Sequence, residues 1–500
     1  MKTKTKKSTD GKPASKKRAG RNRHVPSLNL SKPRGDVAGA DIGAREIAIC
    51  VPEGSDPVPV RTFATFTADL NEAVAWLGRC GVRSVAMEST GLYWLALAQL
   101  LAEAGIEVVL VNARHVRHLP GRKSDVIDCQ WLQYLHSVGL PFGHELRAEW
   151  LRGSFRPADH LCALRSLTRH RDSLLAQAAD QVRHAQKALT QMNLQLHHVI
   201  DDITGTTGSA ITEAILAGER DAAVLARLRD PRIKASRETI AKSLAGHWRE
   251  EHLLVLRMAW ETRAHYLRHI GEIETEIHRR TTHIQHTAST TEEGVPTGPE
   301  APTGTRTPVV KKRSKSKNQP AHSESLCLHY QRIFGSDLTR IPAINVLTVQ
   351  ALLSEVGPDL GAFPTEAAFA SWAGLCPGTK ISGGRRLGSR SRQGKPRIAM
   401  MLRQSALGLR RSQSALGQRY RRLRARLGAP KALTAMAHLL LRIIYKLVTS
   451  GTDYDDSIYA QIETEHRENK INHLKSTAKR LGFTLVPANP TEPQPEPLAT

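Results

Sequence analysis

Apolar positions between residues 37 and 138 follow two different spacings. Helical spacing of the apolar side chains predicts helices over residues 70–80, 93–104 and 125–138. Short apolar, β-branched runs predict strands in VAGADIGAREIAICV, PVRTFATF, SVAMEST and EVVLVN. Strands that first follow one another and then alternate with helices are typical of a mixed α/β layer fold.

Beyond residue 157 the pattern becomes almost entirely helical. Long helices are predicted over residues 161–196 and 253–284, as a helical hairpin or coiled-coil arm; an ordinary helical bundle fits the same pattern. We therefore divide the chain into a disordered basic arm (1–35), an α/β domain (36–156), a helical arm (157–286), a low-complexity basic linker (287–325), a mostly helical domain (326–460) and a tail, disordered at its end (461–500).

Charge narrows the choice of partner. The chain has 72 Lys and Arg against 47 Asp and Glu, a formal net charge of +25, which favours a nucleic-acid partner over an acidic or neutral metabolite. We find no uninterrupted apolar stretch near the roughly 20 residues of a membrane span and no apolar core of a secretory signal. We therefore expect no membrane association and a location in the bacterial cytoplasm. The six cysteines form no C-x-x-C pair, which argues against a zinc site.

Four carboxylates stand at informative places in the predicted elements. Asp41 interrupts an apolar strand, where a lone charge is costly without a cation or metal. Glu88 ends another strand, and Asp125 and Asp128 share one face at the start of a helix. If the two strands are neighbours, the four carboxylates meet, and such hard oxygen ligands suit Mg²⁺ or Mn²⁺ in phosphodiester chemistry. The neighbouring basic residues would hold the DNA backbone: Arg114, Arg117, Arg122 and Lys123.

Each carboxylate also has a simpler interpretation. An Asp in the first turn of a helix is stabilised by the helix dipole, which alone explains Asp125 or Asp128. A Glu at a strand end, such as Glu88, is often merely solvated. Only the set of all four, in the context of strand, strand and helix, favours a metal site.

Longer motifs resemble a known family. ADIG, AMESTGLYW and VNARHVRHLPGRKSDVIDCQWL resemble the RuvC-like DEDD domain of a bacterial insertion-sequence transposase family, whose members are bridge-RNA-guided recombinases. FASWAGLCPGTKISGGRRLGSRSRQGKPRIAMMLRQSA is similar to the second domain of that family, and HLCALRSLTRHRDSLLAQAADQVRHAQKAL to its connecting arm. The resemblance covers roughly residues 37–460.

The resemblance implies both a fold and a mechanism. It implies a ribonuclease H-like first domain in which Asp41, Glu88, Asp125 and Asp128 bind magnesium. It also implies that Ser382, in the second domain, becomes covalently attached to a DNA phosphate in a site shared between protomers. The expected partners are double-stranded donor and target DNA, a non-coding guide RNA and further copies of the chain, as a dimer to tetramer.

The chemistry around Ser382 agrees with that role but does not require it. A hydroxyl between flexible glycines and basic residues can approach a phosphate, with charge neutralised by Arg385, Arg386, Arg390 and Arg392. Ser389, Ser391 and Ser405 are chemical rivals, and on residue type alone Ser382 is a turn residue. Two other functions remain open: a Holliday-junction-type endonuclease that uses metal and water without a covalent intermediate, and a non-catalytic nucleic-acid scaffold.

Two further segments suggest contacts with nucleic acid. Residues 341–357 resemble a helix-hairpin-helix whose expected glycines are replaced by Ala343 and Asn345, and we expect Asn345 to be able to adopt the left-handed turn. The basic helix over residues 410–428 could follow a phosphate backbone, or simply be a solvated helix face.

Overall fold

The chain forms two compact units, Met1–Phe155 and Arg156–Thr500, which are described separately. The structure is a computed structural model that describes residues 33–89, 91–111, 125–138, 155–284, 320, 323–388 and 396–486. The predicted basic arm over residues 1–35 therefore lies almost wholly outside the described residues, and the predicted linker over residues 287–325 does so for most of its length.

A five-stranded mixed sheet forms the centre of the first unit. Its strands are β1 (Val37–Ile42), β2 (Glu46–Cys50), β3 (Val60–Ala64), β4 (Ser84–Glu88) and β5 (Glu107–Val111), in the spatial order β3-β2-β1-β4-β5. β1 pairs antiparallel with β2 but parallel with β4, which in turn pairs parallel with β5. The predicted mixed α/β layer is therefore confirmed, and the sheet is consistent with the ribonuclease H-like fold that the resemblance implies.

Helices cover both faces of this sheet. On one face, α1 (Thr67–Arg79) and α2 (Trp94–Glu103) bury a large apolar core with the strands. On the other face, α3 (Asp125–Ser137) buries Leu132 against β4 and β5 and Cys129 against β2. Because successive residues of a strand point to opposite faces, both sets of strand side chains are buried. The apolar periodicity had predicted these three helices with only small shifts of their ends.

The first part of the second unit is built on two long helices that pack along each other, α4 (Asp159–Gln191) and α9 (Glu250–Thr282). Four short helices between them share an apolar core with them: α5 (Leu196–Val199), α6 (Thr206–Leu216), α7 (Ala222–Arg227) and α8 (Arg237–Leu244). Arg171 and Glu274 form a buried ion pair across the long helices, with Nη2 and Oε1 2.6 Å apart. This pair fixes the register of one long helix against the other.

The remainder of the second unit is mostly helical, as predicted. Its elements are α10 (Ser323–Phe334), a 3-10 turn (Leu338–Arg340), α11 (Val346–Glu355), α12 (Glu366–Trp372), β6 (Lys380–Ser382), β7 (Arg385–Gly388), α13 (Arg397–Gly408), a second 3-10 turn (Leu409–Arg411), α14 (Ala415–Leu427), α15 (Ala429–Ser450) and α16 (Asp456–Arg480). Within the described residues, α15 alone has the length and apolar composition to cross a bilayer. Its Met436, Leu440 and Ile444 are buried inside the unit.

Three local predictions need correction. The left-handed residue of the helix-hairpin-helix-like turn is Ala343, with φ of +72°, whereas Asn345 is extended and caps α11 by accepting a hydrogen bond from the Thr348 N–H. Residues 380–388, expected to be an irregular turn, form a two-stranded hairpin. The segment 461–500, expected to be a tail, begins inside α16, a 25-residue helix without a buried residue. The last miss follows because no residue of α16 is buried, so no apolar face patterns the sequence.

Candidate active site

The first two predicted acids lie side by side because of strand register. β1 and β4 are parallel, with Gly39 opposite Ala86 and Ala40 opposite Met87. Continuing that register by one residue places Asp41 beside Glu88, at the carboxyl ends of both strands. Both side chains are half-buried. The condition that the two strands be neighbours, on which the predicted site depended, is met.

The helix that carries the other two acids begins at the same edge. Near its C-terminal end, His136 lies 2.9 Å from the hydroxyl of Ser84, and Gln133 donates to the carbonyl of Val37. One turn earlier the backbone of Cys129 lies against Gly39. α3 therefore runs antiparallel to β1, so that its first turn, with Asp125 and Asp128, lies towards Asp41. We call this arrangement of Asp41, Glu88 and the first turn of α3 the carboxylate edge.

Gly39 makes this close approach possible. A Cβ at Gly39 would lie 2.2 Å from the backbone nitrogen of Gln133 and 2.4 Å from the carbonyl oxygen of Cys129. No side chain fits there without displacing the helix, because both neighbours are backbone atoms. The sequence analysis missed this residue, although a glycine inside an apolar strand, two positions before Asp41, signals a close backbone approach.

The donor set fits a hard divalent cation rather than a thiophilic one. Burial, with smaller contributions from Cys50 and Asp41, raises the pKa of Cys129 to about 12. Burial also raises the pKa of Cys50 to about 11. Both thiols therefore stay protonated at neutral pH and leave the carboxylates as ligands.

The described side chains of the carboxylate edge do not by themselves form a metal site. Asp41, Glu88 and Asp128 are described, and no three His, Cys, Asp or Glu side chains among the described residues lie closely enough together to hold a metal ion. Asp128 is half-buried, whereas the side chain of Asp125 lies outside the described residues. The basic residues predicted to hold DNA nearby also lie outside them: Arg114, Arg117, Arg122 and Lys123.

Ser382 ends the first strand of an exposed hairpin in the second unit. Gly383 and Gly384 form its two-residue turn with φ of +53° and +75°, the left-handed values that a type I′ turn requires. Ser382 pairs directly with Arg385, so their side chains share one face of what we call the serine hairpin. Both residues are exposed, as are Ile381 and Leu387, at 67% and 69%.

The other predicted residues of this region have different outcomes. Ser405 is half-buried on α13, and its hydroxyl lies 3.2 Å from that of Thr348, which makes it a poorer nucleophile candidate than the exposed Ser382. The side chain of Arg386 lies outside the described residues, as do Ser389, Arg390, Ser391 and Arg392 in full.

Two parts of the chain match families of known proteins. Residues 38–194 match a family model described as a transposase, of the IS110 DEDD type, and residues 335–421 match one described as Transposase IS116/IS110/IS902 family. The class that these matches support is a transposase. The first match covers the carboxylate edge and the second covers the serine hairpin.

The same family name recurs in a relative. The chain is 34% identical over 128 residues to the Insertion element IS110 uncharacterized 43.6 kDa protein of Streptomyces coelicolor. The aligned part is 25% of this chain and 31% of that relative, so the chain spans about a third of the relative's length. The family matches and this relative together support the IS110 transposase family.

Proposed function

We propose that this protein is a metal-dependent DNA transposase that cuts and rejoins DNA strands of an insertion element. One observation carries the proposal: parallel pairing of β1 and β4 sets Asp41 beside Glu88 at the edge where α3 begins with Asp125 and Asp128. The matches to two transposase family models support the choice of DNA as substrate.

The four acids would hold one or two divalent cations, Mg²⁺ or Mn²⁺. Negative carboxylates crowded at one sheet edge repel one another, and a divalent cation relieves that repulsion. When bound, such ions activate an attacking oxygen and stabilise the leaving oxygen of a phosphodiester. The close contact of α3 with Gly39 would hold the first turn of α3 at this edge of the sheet.

Ser382 would act as the nucleophile of the strand-exchange step. Its hydroxyl is exposed beside Arg385, whose guanidinium can neutralise a phosphate oxygen while the serine oxygen attacks the phosphorus. We propose, from the family resemblance, that the complete site joins the carboxylate edge of one protomer to the serine hairpin of another. The assembly would contain two to four chains, with a non-coding RNA that selects donor and target DNA.

The test compares Ser382→Ala with Asp41→Asn in an assay of paired donor and target DNA with Mg²⁺. Neither variant should give recombinant product. A covalent protein-DNA adduct should appear on denaturing gels only with proteins that keep Ser382, and Ser382→Ala should form none. Glu72→Gln, an exposed acid on α1, is the matched control and should recombine normally.

Each part of the proposal has an outcome that overturns it. Normal recombination by Ser382→Ala would remove the serine from the mechanism, and cleavage without any adduct would favour the water-using endonuclease. Cleavage by Asp41→Asn in the presence of a chelator would remove the metal site. Recombination that continues after ribonuclease treatment of the complex would remove the guide RNA.

A further inference from the structure

Positive charge is concentrated in one part of the second unit. Residues 367–452 contain 18 Lys and Arg and not a single Asp or Glu, so they account for 18 of the chain's 25 net positive charges. This stretch includes the serine hairpin, α13, α14 and α15. A long run without acids cannot neutralise itself, so its cations must pair elsewhere or face solvent.

Several of these cations pair with acids from outside the stretch. Arg422 contacts Glu463 of α16, and Arg442 contacts Glu366 of α12. Arg397 contacts Asp172 of α4 and lies near Glu355 of α11. These arginines hold helices of the unit together and are not available to a partner.

Four other arginines form a contiguous exposed group. Arg410 and Arg411 lie on the 3-10 turn before α14, and Arg421 of α14 donates to the carbonyl oxygens of Ser412, at 2.7 Å, and Arg410. Arg424 follows Arg421 by three residues on the same helix face. All four side chains are exposed, and no carboxylate of a described residue lies within 4.0 Å of them. We call these four residues the arginine cluster.

This arrangement carries an electrostatic cost that a polyanion would remove. Like charges three residues apart on a helix, as at Arg421 and Arg424, repel each other. The bonds from Arg421 to the backbone of the 3-10 turn hold its charge beside the segment that carries Arg410 and Arg411. A row of phosphates would neutralise several of the charges at once and release counterions.

A membrane fits the cluster less well than nucleic acid. Helices that lie on membranes keep an apolar face free for the lipid. The apolar face of α14, with Ala415, Leu416 and Tyr420, is buried in the unit. The exposed surface of the arginine cluster is therefore charged, and the apolar face of its helix is not free to enter a lipid layer.

We propose that Arg410, Arg411, Arg421 and Arg424 form a binding surface for the phosphate backbone of a nucleic-acid duplex, separate from the serine hairpin. The proposal rests on the proposed function, because it assumes that the chain works on nucleic acid. The surface would hold the duplex by charge, without reading its sequence.

The experiment uses the full chain with all four arginines replaced by glutamine (R410Q, R411Q, R421Q, R424Q). Binding of labelled DNA and RNA duplexes of equal length is measured by fluorescence anisotropy over a series of KCl concentrations. At low salt the variant should bind at least about tenfold more weakly, and its slope of log affinity against log salt should be shallower by about 4. A second variant that keeps Arg421, and with it the tie to the 3-10 turn, should lose about 3 from the slope.

A control variant removes the same charge from arginines that already have acidic partners. It carries R183Q, R232Q, R279Q and R280Q. These four arginines lie beside Asp180, Asp230 and Glu276, so this variant should keep nearly the wild-type slope of log affinity against log salt. Equal losses in the two quadruple variants would show a net-charge effect and overturn the proposal, as would an unchanged slope in the cluster variant.

Comparison of the DNA duplex with the RNA duplex, together with a vesicle-binding measurement, separates the remaining outcomes. Loss with DNA alone, with RNA alone or with both supports the surface and identifies the bound strand type. Binding of the wild type to phosphatidylserine vesicles, lost in the cluster variant while duplex binding is kept, would overturn it. If the wild type binds neither duplex, the proposed function fails; if it binds both and the cluster variant binds equally, only this inference fails.

Discussion

The carboxylate edge and the serine hairpin differ in how the chain fixes their geometry. Asp41 and Glu88 stand on central strands of a sheet covered on both faces, and the helix behind them touches the backbone of Gly39 directly. The serine hairpin has two short strands, a glycine turn and exposed apolar side chains at Ile381 and Leu387. One half of the proposed site is set by packing, and the other half lies on a short hairpin with exposed side chains.

A glycine-to-alanine substitution should therefore lower stability for different physical reasons in the two places. Gly39→Ala places a methyl group against backbone atoms of α3 and should lower the stability of the first unit by about 3 kcal/mol. It should also move Asp125 and Asp128 away from Asp41 and abolish strand exchange. Thermal unfolding and the recombination assay measure the two effects.

Gly35→Ala is the matched control, because nothing lies within 4 Å of the Cβ that it would add. Its melting temperature and activity should equal those of the wild type. A Gly39→Ala protein that melts and recombines normally would show that the contact with α3 does not set the carboxylate edge.

Acid should destabilise the first unit through His136. Burial, with a smaller contribution from Arg34, lowers the pKa of His136 to about 4, and this residue contacts Ser84 at the far end of α3. The folded state binds fewer protons than the unfolded state, in which the pKa is near 6.5, so stability falls as pH drops from about 6.5 to 4. We expect a loss of about 2 kcal/mol over that range.

Thermal unfolding followed at several pH values measures this loss. His136→Gln cannot titrate and should flatten the dependence of the first unit between those pH values. If the variant keeps the full wild-type dependence, another group is responsible.

In the serine hairpin, an added methyl group should act through backbone strain rather than through steric contacts. Gly384 has φ of +75° with open space around it, so Gly384→Ala costs only the left-handed conformation, about 1–2 kcal/mol within the hairpin. Recombination should fall about tenfold, while the melting of the unit stays unchanged. Gly388→Ala, also in open space but without a positive φ, should do neither; equal losses in the two variants would contradict the argument.

The smallest expected effect is a stabilisation. Ala343 occupies a left-handed position that glycine adopts without cost, so Ala343→Gly should stabilise the second unit by about 1 kcal/mol. Ala362→Gly, at an exposed turn position without a positive φ, should instead be neutral or destabilising. Denaturant unfolding curves distinguish the two, and a loss of stability in Ala343→Gly would show that the methyl group packs usefully.

The sequence predicted the helices and strands better than it predicted which of them pack or pair with each other. Apolar periodicity was sufficient for the strands and helices of the first unit because each packs one strong face. It could not show that β1 and β4 are neighbours, on which the pairing of Asp41 with Glu88 depends, since register is a tertiary property. The serine hairpin was missed as a hairpin because strands of three and four residues with exposed Ile381 and Leu387 carry no alternation that marks a buried face.

The ion pair of Arg171 with Glu274 has a mechanical consequence for the second unit. Sliding one long helix past the other would break this buried ion pair. Each helix has 33 residues and is therefore about 50 Å long. The two helices therefore form a stiff element of fixed length within the second unit.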